Sequence, residues 1–341
     1  MNQDRVTIKD VAKTAEVSIA TVSNVLNGTG RVSPDTVRRV TEAITKLNFA
    51  PSMSARNLKD KKSSLIAVIV PFLEKGRLHD NPFYWQLVTG IEEGARNEKL
   101  HVILVGVEPD EQFSFVRERH LDGMIVIGIF EGTDIFERIL RLNVPCVFMD
   151  SYLENDELYQ VGLDDELGGY IGTKHLLSLG HRNIALLTGT LMHGGVNYRR
   201  WLGYCKALKE SDISYREELV IEVPTSSASG YRTASIIAPK VKDITAVFAL
   251  SDVTAIGLIK GLYDLGYVVP RDISVMGFDD NQNSRYMVPA LTTVHQDIVL
   301  KGQTAVKLLI AQMENEQEMD RKVVIGVELT IRQSTAARIL R

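Results

Sequence analysis

Two different periods of apolar residues divide the chain. Between Val6 and Asn27 apolar side chains recur three or four positions apart, first Ile8, Val11, Ala12 and Ala15, then Val22, Val25 and Leu26. That spacing predicts two short helices. Thr7 and Ser18 stand where N-caps belong, and Val17, just before the second cap, fills the corner between the helices. A third helix begins at Ser33-Pro34-Asp35, a capping hydroxyl followed by proline at the first helical position and an acid in the first turn. Its apolar face is Val37, Val40, Ile44 and Leu47. From Leu65 onward the pattern changes to short unbroken apolar runs alternating with helical stretches, as in parallel sheets covered on both faces.

The runs predict strands over Leu65 to Val70, Val102 to Val107, Gly123 to Ile129 and Val144 to Met149, with helices Tyr84 to Lys99 and Thr133 to Arg141 between them. A second series follows. Its strands are Ile184 to Leu187, Leu219 to Val223, Ala246 to Leu250 and Ser274 to Phe278. Its helices are Leu167 to Leu179, Tyr198 to Lys209, Tyr231 to Ala238 and Thr254 to Leu265. The remainder predicts a helix Gln303 to Met313 and a last strand Glu328 to Ile331.

Two amphipathic helices joined by a turn also fit any small helical packing unit. Charge favours a more specific reading. Residues 1–62 hold 11 Lys/Arg against 6 Asp/Glu, a balance of +5, in a chain whose formal charge is −4. Positive charge concentrated in one small domain suits phosphate binding. The stretch is therefore expected to be a helix-turn-helix whose second helix enters the major groove. Its outer face, Ile19-Ala20-Thr21-Val22-Ser23-Asn24, offers small residues, hydroxyls and an amide for base edges and phosphates.

With 341 residues and 45% hydrophobic content, the chain can bury a large core. No apolar run reaches membrane-spanning length and the first residues are polar, so a cytoplasmic protein without a membrane partner is expected. Cys146 and Cys205 lie in apolar surroundings and suit buried thiols better than a disulfide framework. No P-loop, dinucleotide fingerprint, nucleophile elbow or zinc spacing is present, so no enzyme, cofactor or metal is expected. His175 and His181, flanking a helix end, suit capping or packing.

Several tracts carry a resemblance. Val6-Thr7-Ile8-Lys9-Asp10-Val11-Ala12, Val17-Ser18-Ile19-Ala20-Thr21-Val22-Ser23, Val25-Leu26-Asn27, Leu47-Asn48-Phe49-Ala50-Pro51 and Ala55-Arg56-Asn57-Leu58 closely resemble the DNA-binding signature of the lactose/galactose repressor (LacI/GalR) family. The resemblance implies an all-α headpiece over residues 1–50, a hinge helix and linker over 51–63, and an effector-binding, dimerising core over 64–341. That core would be α/β and bilobed, two doubly wound parallel sheets like a type I periplasmic binding protein. Its first subdomain would take residues 64–161 and 296–324, its second 162–295 and 325–341, with three crossings between them.

It further implies a homodimeric repressor of a near-palindromic operator, controlled by a small molecule in the cleft. A sugar or sugar phosphate is favoured; a nucleobase or a phosphoprotein coregulator is the alternative within the fold. DNA contacts would come from Thr7, Ser18, Ile19, Ala20, Thr21, Ser23, Asn24, Asn27, Ala55 and Leu58, with Leu58 as a minor-groove wedge. Effector contacts would come from Phe83, Tyr84, Asp150, Arg200, Ser251 and Asp279, whereas Asp252 suits a structural role. Two departures stand out: Asn24 replaces the arginine many relatives carry, and Thr225 stands where several have an aromatic. The chain ends without a heptad repeat, so a dimer is expected. A solute-binding protein for transport would share the bilobed fold but would have no use for a basic headpiece.

Overall fold

The computed structural model describes residues 6–49, 63–71, 81–316 and 318–338. They fall into two compact units that divide at Ser63 and Ser64. The first holds helices α1 (Ile8–Thr14), α2 (Ile19–Asn27) and α3 (Pro34–Lys46). Ser33 and Ser18 cap α3 and α2 by accepting the N–H of Thr36 and Thr21. Gly28 ends α2 in the left-handed region at φ +63°, where a side chain would be strained. Val11, Ala12, Ala15, Val22, Val40, Ala43 and Phe49 form the buried core of this unit. Val37 is not in it: at 40% exposure it lies at the edge of the expected apolar face.

The larger unit contains two six-stranded sheets among the described residues. In the first, β1 (Leu65–Pro71) lies between β2 (His101–Val107) and β3 (Gly123–Ile127). Then come β4 (Cys146–Met149), β5 (Tyr159–Leu163) and β11 (Lys322–Ile325), all parallel. Alternate residues of β1 face opposite cores. Ile66, Val68 and Val70 pack with Leu87 and Ile91 of α4 (Pro82–Asn97), while Ala67 and Ile69 pack with Phe136 and Ile139 of α6 (Asp134–Arg141). A short helix, α5 (Ser114–Glu118), was not expected from the pattern.

The second sheet orders β7 (Val220–Glu222), β6 (Ile184–Thr188), β8 (Ala246–Ala249), β9 (Ser274–Asp279), β10 (Thr292–Gln296) and β12 (Val327–Thr330). It is parallel except for the antiparallel pair β10–β12. Helices α7 (Asp165–Ser178) and α8 (Val196–Lys209) cover one face, and α9 (Ser227–Ile237) and α10 (Asp252–Asp264) the other.

The chain passes between the sheets after β5, after β10 and between β11 and β12. After β10 it forms α11 (Ile298–Glu314), which returns to pack on the first sheet. Helix α11 starts five residues before its expected beginning because Asp297 caps it, accepting the Leu300 N–H at 2.8 Å. Likewise Asp164 accepts the Leu167 N–H at 3.0 Å, so α7 starts at Asp165. These early starts put Lys301 and Asp165 on helices near the crossings. The C-terminal stretch is tied to the second sheet by two buried histidines: His175 bonds Thr335, and His181 bonds Thr245, Ser274 and the Ala336 carbonyl. They pack, as expected.

Candidate functional site

On the headpiece, the first turn of α2 is held by Ser18, which accepts the Thr21 N–H at 3.0 Å and shares a 2.8 Å hydrogen bond with the Thr21 hydroxyl. With Val22 fully buried, the opposite face turns to solvent. Ser18, Ile19, Ala20 and Asn24 are exposed there, and Thr21 and Ser23 are half-buried. Ile19, at 45% exposure, is the large apolar side chain of this face. The Asn24 amide lies beside the turn that follows the helix, within 3.2 Å of where a side chain on Gly30 would begin. Thr7 is occupied in capping α1: its N–H and hydroxyl donate to Asp10 at 2.8 and 2.7 Å. Those bonds hold the Asp10 carboxyl below its ordinary value.

Lys9, Lys13 and Arg31 are exposed, whereas Arg38 is paired within α3 to Asp35 and Glu42. Part of the headpiece charge is therefore matched internally. The side chain of Asn27, together with Ala55, Leu58 and the rest of the expected hinge over 51–62, lies outside the described residues.

In the core, four of the six expected effector residues sit among buried polar groups at strand ends. Arg200 on α8 is 6% exposed. Its Nε donates to Asp165 Oδ1 at 2.6 Å and its Nη1 to the Leu250 carbonyl at 2.7 Å; Asp279 Oδ1 is 3.8 Å from Nη1. The guanidinium carbon lies 3.5 Å from the centroid of the Phe278 ring. Asp165 and Arg200 meet because α7 and α8 cross at glycine: a Cβ on Gly169 would lie 1.9 Å from the Arg200 carbonyl, and one on Gly203 2.0 Å from that of Glu166.

Asp279 ends β9 at φ +115° and accepts a 2.7 Å hydrogen bond from Gln296 Nε2. Ser251, 6% exposed, follows Leu250, and its hydroxyl has no hydrogen-bond partner. From the first sheet, Asp150 follows β4 and pairs with Lys301 Nζ at 2.5 Å; Lys301 is 2% exposed. Lys301 Nζ also lies 5.6 Å from the Phe83 ring centroid. Phe83 and Tyr84 occupy the first turn of α4, edge to face at 5.4 Å, half-buried against the first core.

Burial raises the carboxyl pKa of both Asp165 and Asp279, and the nearby Arg200 opposes the shift in each. The positive charge of Lys301 acts on both carboxyls in the same direction as Arg200. Asp252 is wholly buried and accepts from the Asn281 N–H, the Ser284 hydroxyl and the Thr293 hydroxyl at 2.6–2.7 Å. It ties α10 to the segment after β9 and to β10. Its carboxyl is also raised, first by burial and then by the neighbouring Asp279 charge.

Asp165, Gln296 and Lys301 are the residues of this cluster that sequence reasoning missed. Lys301 had a signal: it falls on the stripe of Ile298, Ala305 and Leu308, where a lysine interrupts a buried face. Asp165 and Gln296 read as ordinary helix-start and strand-end residues. Beside the cluster lies a cavity of about 570 Å³ lined by Tyr152, Tyr170, Arg199, Lys206 and Glu210 among others. It adjoins the cluster through Asp165, and none of the six expected effector residues lines it. The Arg199 guanidinium carbon lies 4.3 Å from the Tyr152 ring centroid.

Among the described residues no three His, Cys, Asp or Glu side chains gather as a metal site, and no helix is long and apolar enough to cross a membrane. Cys146 and Cys205 are both free thiols.

Comparison with known proteins agrees with both halves of this description. Residues 7–52 match the family model described as bacterial regulatory proteins, lacI family, and residues 173–335 match a periplasmic binding protein-like domain. The chain is 32% identical to catabolite control protein A of Priestia megaterium over 340 residues, covering 97% of this chain and 99% of that one. The structure of the lac repressor dimer bound to operator and the anti-inducer ONPF superposes with a TM-score of 0.86 at 29% identity, covering 98% of this chain and all of that one. The complex of the transcriptional regulator CelR with cellobiose gives 0.73 at 26% identity, covering 97% and 100%. These relatives are transcriptional regulators, not enzymes.

Proposed function

This chain belongs to the lacI family of bacterial regulatory proteins and is a DNA-binding transcriptional regulator, and from that premise we propose a homodimeric repressor controlled by a sugar or sugar phosphate bound between its lobes. The reading rests most on one observation: buried charged groups stand at the strand ends of both sheets, Arg200 with Asp165 and Asp279 in the second and Lys301 with Asp150 in the first. A ligand completing that cluster changes how the two sheets relate, and the headpieces follow. To shift DNA affinity it must bind one arrangement better than the other.

In this reading Ser18, Ile19, Ala20, Thr21, Ser23, Asn24 and Asn27 meet the major groove, with Thr7 at a phosphate and Ala55 and Leu58 at the minor groove. Arg200, Asp279, Asp150 and Ser251 hold the effector's polar groups, and Phe83 and Tyr84 cover its apolar face. Similarity to the lac repressor dimer on its operator and to CelR with cellobiose supports the dimer and the sugar.

The test is operator binding by fluorescence anisotropy with and without sugars and sugar phosphates, in the native chain and in Arg200→Lys and Asp279→Asn. The expected result is that both variants bind operator but no longer respond. Normal response in both would remove the effector from this cluster.

A further inference from the structure

We infer a second ligand site, in the cavity where the chain crosses between the two sheets, that takes a zwitterion of amino-acid type with an apolar or aromatic side chain. It does not depend on what binds at Arg200 and Asp279, because none of the six expected effector residues lines this cavity. Its volume, about 570 Å³, is that of a small-molecule site. Both sheets build it. Tyr152 follows β4, Leu163 ends β5 and Val324 lies in β11, while the facing sides of α7 and α8 supply the rest.

Two neighbouring arginines on α8 differ in how they are matched. Arg200 holds Asp165 and the Leu250 carbonyl, whereas Arg199 has no ion pair and no hydrogen-bond partner among the described residues. The Arg199 guanidinium carbon lies 4.3 Å from the Tyr152 ring centroid, and its Nε is buried. The ring attracts the cation but accepts none of its in-plane donors, and a carboxylate is a group whose two oxygens match that fork. Lys206, two turns along the same helix, also has no ion pair and stands 5.4 Å from the Tyr170 ring centroid.

The same lining holds an open acceptor. Asp165 is 1% exposed; its Oδ1 accepts from Arg200, but its Oδ2 is buried with no partner. Asp164 and Glu166 line the cavity beside it, and neither has an ion pair among the described residues. A bare anion drawn to Arg199 would meet these carboxylates, and a bare amine would meet Arg199 and Lys206. A molecule carrying both charges sets each against its opposite. Leu163, Leu167, Val324 and the rings of Tyr152 and Tyr170 then face its apolar body. Because the lining comes from both sheets, occupancy depends on how the sheets relate, and Asp165 joins the cavity to Arg200. The ligand is therefore a second input to operator binding, coupled reciprocally to the effector.

The experiment measures the melting temperature of the full chain, and its operator affinity by anisotropy, with leucine, phenylalanine and tryptophan at millimolar concentration. Matched probes are isocaproate and hydrocinnamate, which lack the ammonium, and isoamylamine and phenethylamine, which lack the carboxylate. We expect at least one amino acid to raise the melting temperature and shift operator affinity, and its matched probes to do neither. Arg199→Met, which removes no hydrogen bond of the native chain, should fold and bind that amino acid about tenfold more weakly, the loss of one charge-assisted hydrogen bond. Asp279→Asn, which removes the sugar response in the effector reading, should keep amino-acid binding, so the two readings fail separately.

A carboxylate or amine probe that stabilises as well as its parent amino acid overturns the zwitterion. Undiminished binding in Arg199→Met, or loss in Asp279→Asn, overturns the placement. Silence of all three amino acids overturns the inference outright, and stabilisation without any change in operator affinity overturns its regulatory role.

Discussion

The headpiece and the core hold their polar side chains in opposite ways. On α2 the hydroxyls of Ser18 and Thr21 satisfy one another across three residues, in water, over a core of valines, alanines and Phe49. In the core, Arg200 finds Asp165 and the Leu250 carbonyl from far along the chain, out of water and against Phe278. Exposed groups keep their alternative partners, so the headpiece can exchange water for phosphates and base edges at little cost to its own fold. Buried groups have no such alternative, so a change in the cluster is felt by the whole core.

The sharpest break in that contrast is Arg200→Ala. It leaves Asp165 and Asp279 buried without their shared cation and should cost about 3–5 kcal/mol of core stability in urea unfolding. A loss below about 1 kcal/mol would mean that water reaches the cluster freely, and the two regions would not differ in kind.

Lys301→Met should also destabilise the core, by leaving the Asp150 carboxylate uncompensated. Adding Asp150→Asn should return most of the loss, since it removes the stranded charge, and asparagine tolerates the +56° φ of that position. A double variant no better than the single would show that the pair holds the fold by packing rather than by charge.

At the headpiece, Asn24→Arg should leave stability nearly unchanged and move base preference at an outer half-site position from adenine toward guanine, by about 1–3 kcal/mol of discrimination. Selection from randomised operators measures it. An unchanged site would show that Asn24, beside the Gly30 turn, does not read a base.

The smallest expected effect is in pH. Burial raises the Asp252 carboxyl, so the folded chain holds this proton at pH values where the unfolded chain has released it. Its contribution to stability therefore falls as pH rises from the ordinary carboxylate range up to the raised folded value. Asp252→Asn should flatten the decline of melting temperature between pH 5 and 8. A slope identical to that of the native chain would assign the decline to Asp165 and Asp279 instead.

How much of this was legible beforehand differs between the regions for the same reason. Thr7, Ser18 and Ser33 cap helices through bonds to residues three positions on, so the headpiece helices could be read from spacing alone. Arg200 and Asp279 were found through motifs at a helix start and a strand end, but what holds them was not. Asp165 and Gln296 look like any helix-start acid and strand-end amide until α7 meets α8 and β10 lies beside β9.

The sequence by itself determined the helix-turn-helix with its caps, the alternation of strands and helices, and the concentration of positive charge in the first 62 residues. Each depends on period, near-neighbour hydrogen bonding or composition, which are local quantities. Only the tertiary structure decided that Val37 lies outside the headpiece core and that Lys301 on α11 reaches Asp150. It alone also brought Asp165 against Arg200 where two glycines let their helices cross. Those outcomes depend on which backbones approach closely enough to exclude water, and no residue carries that information in its own neighbourhood.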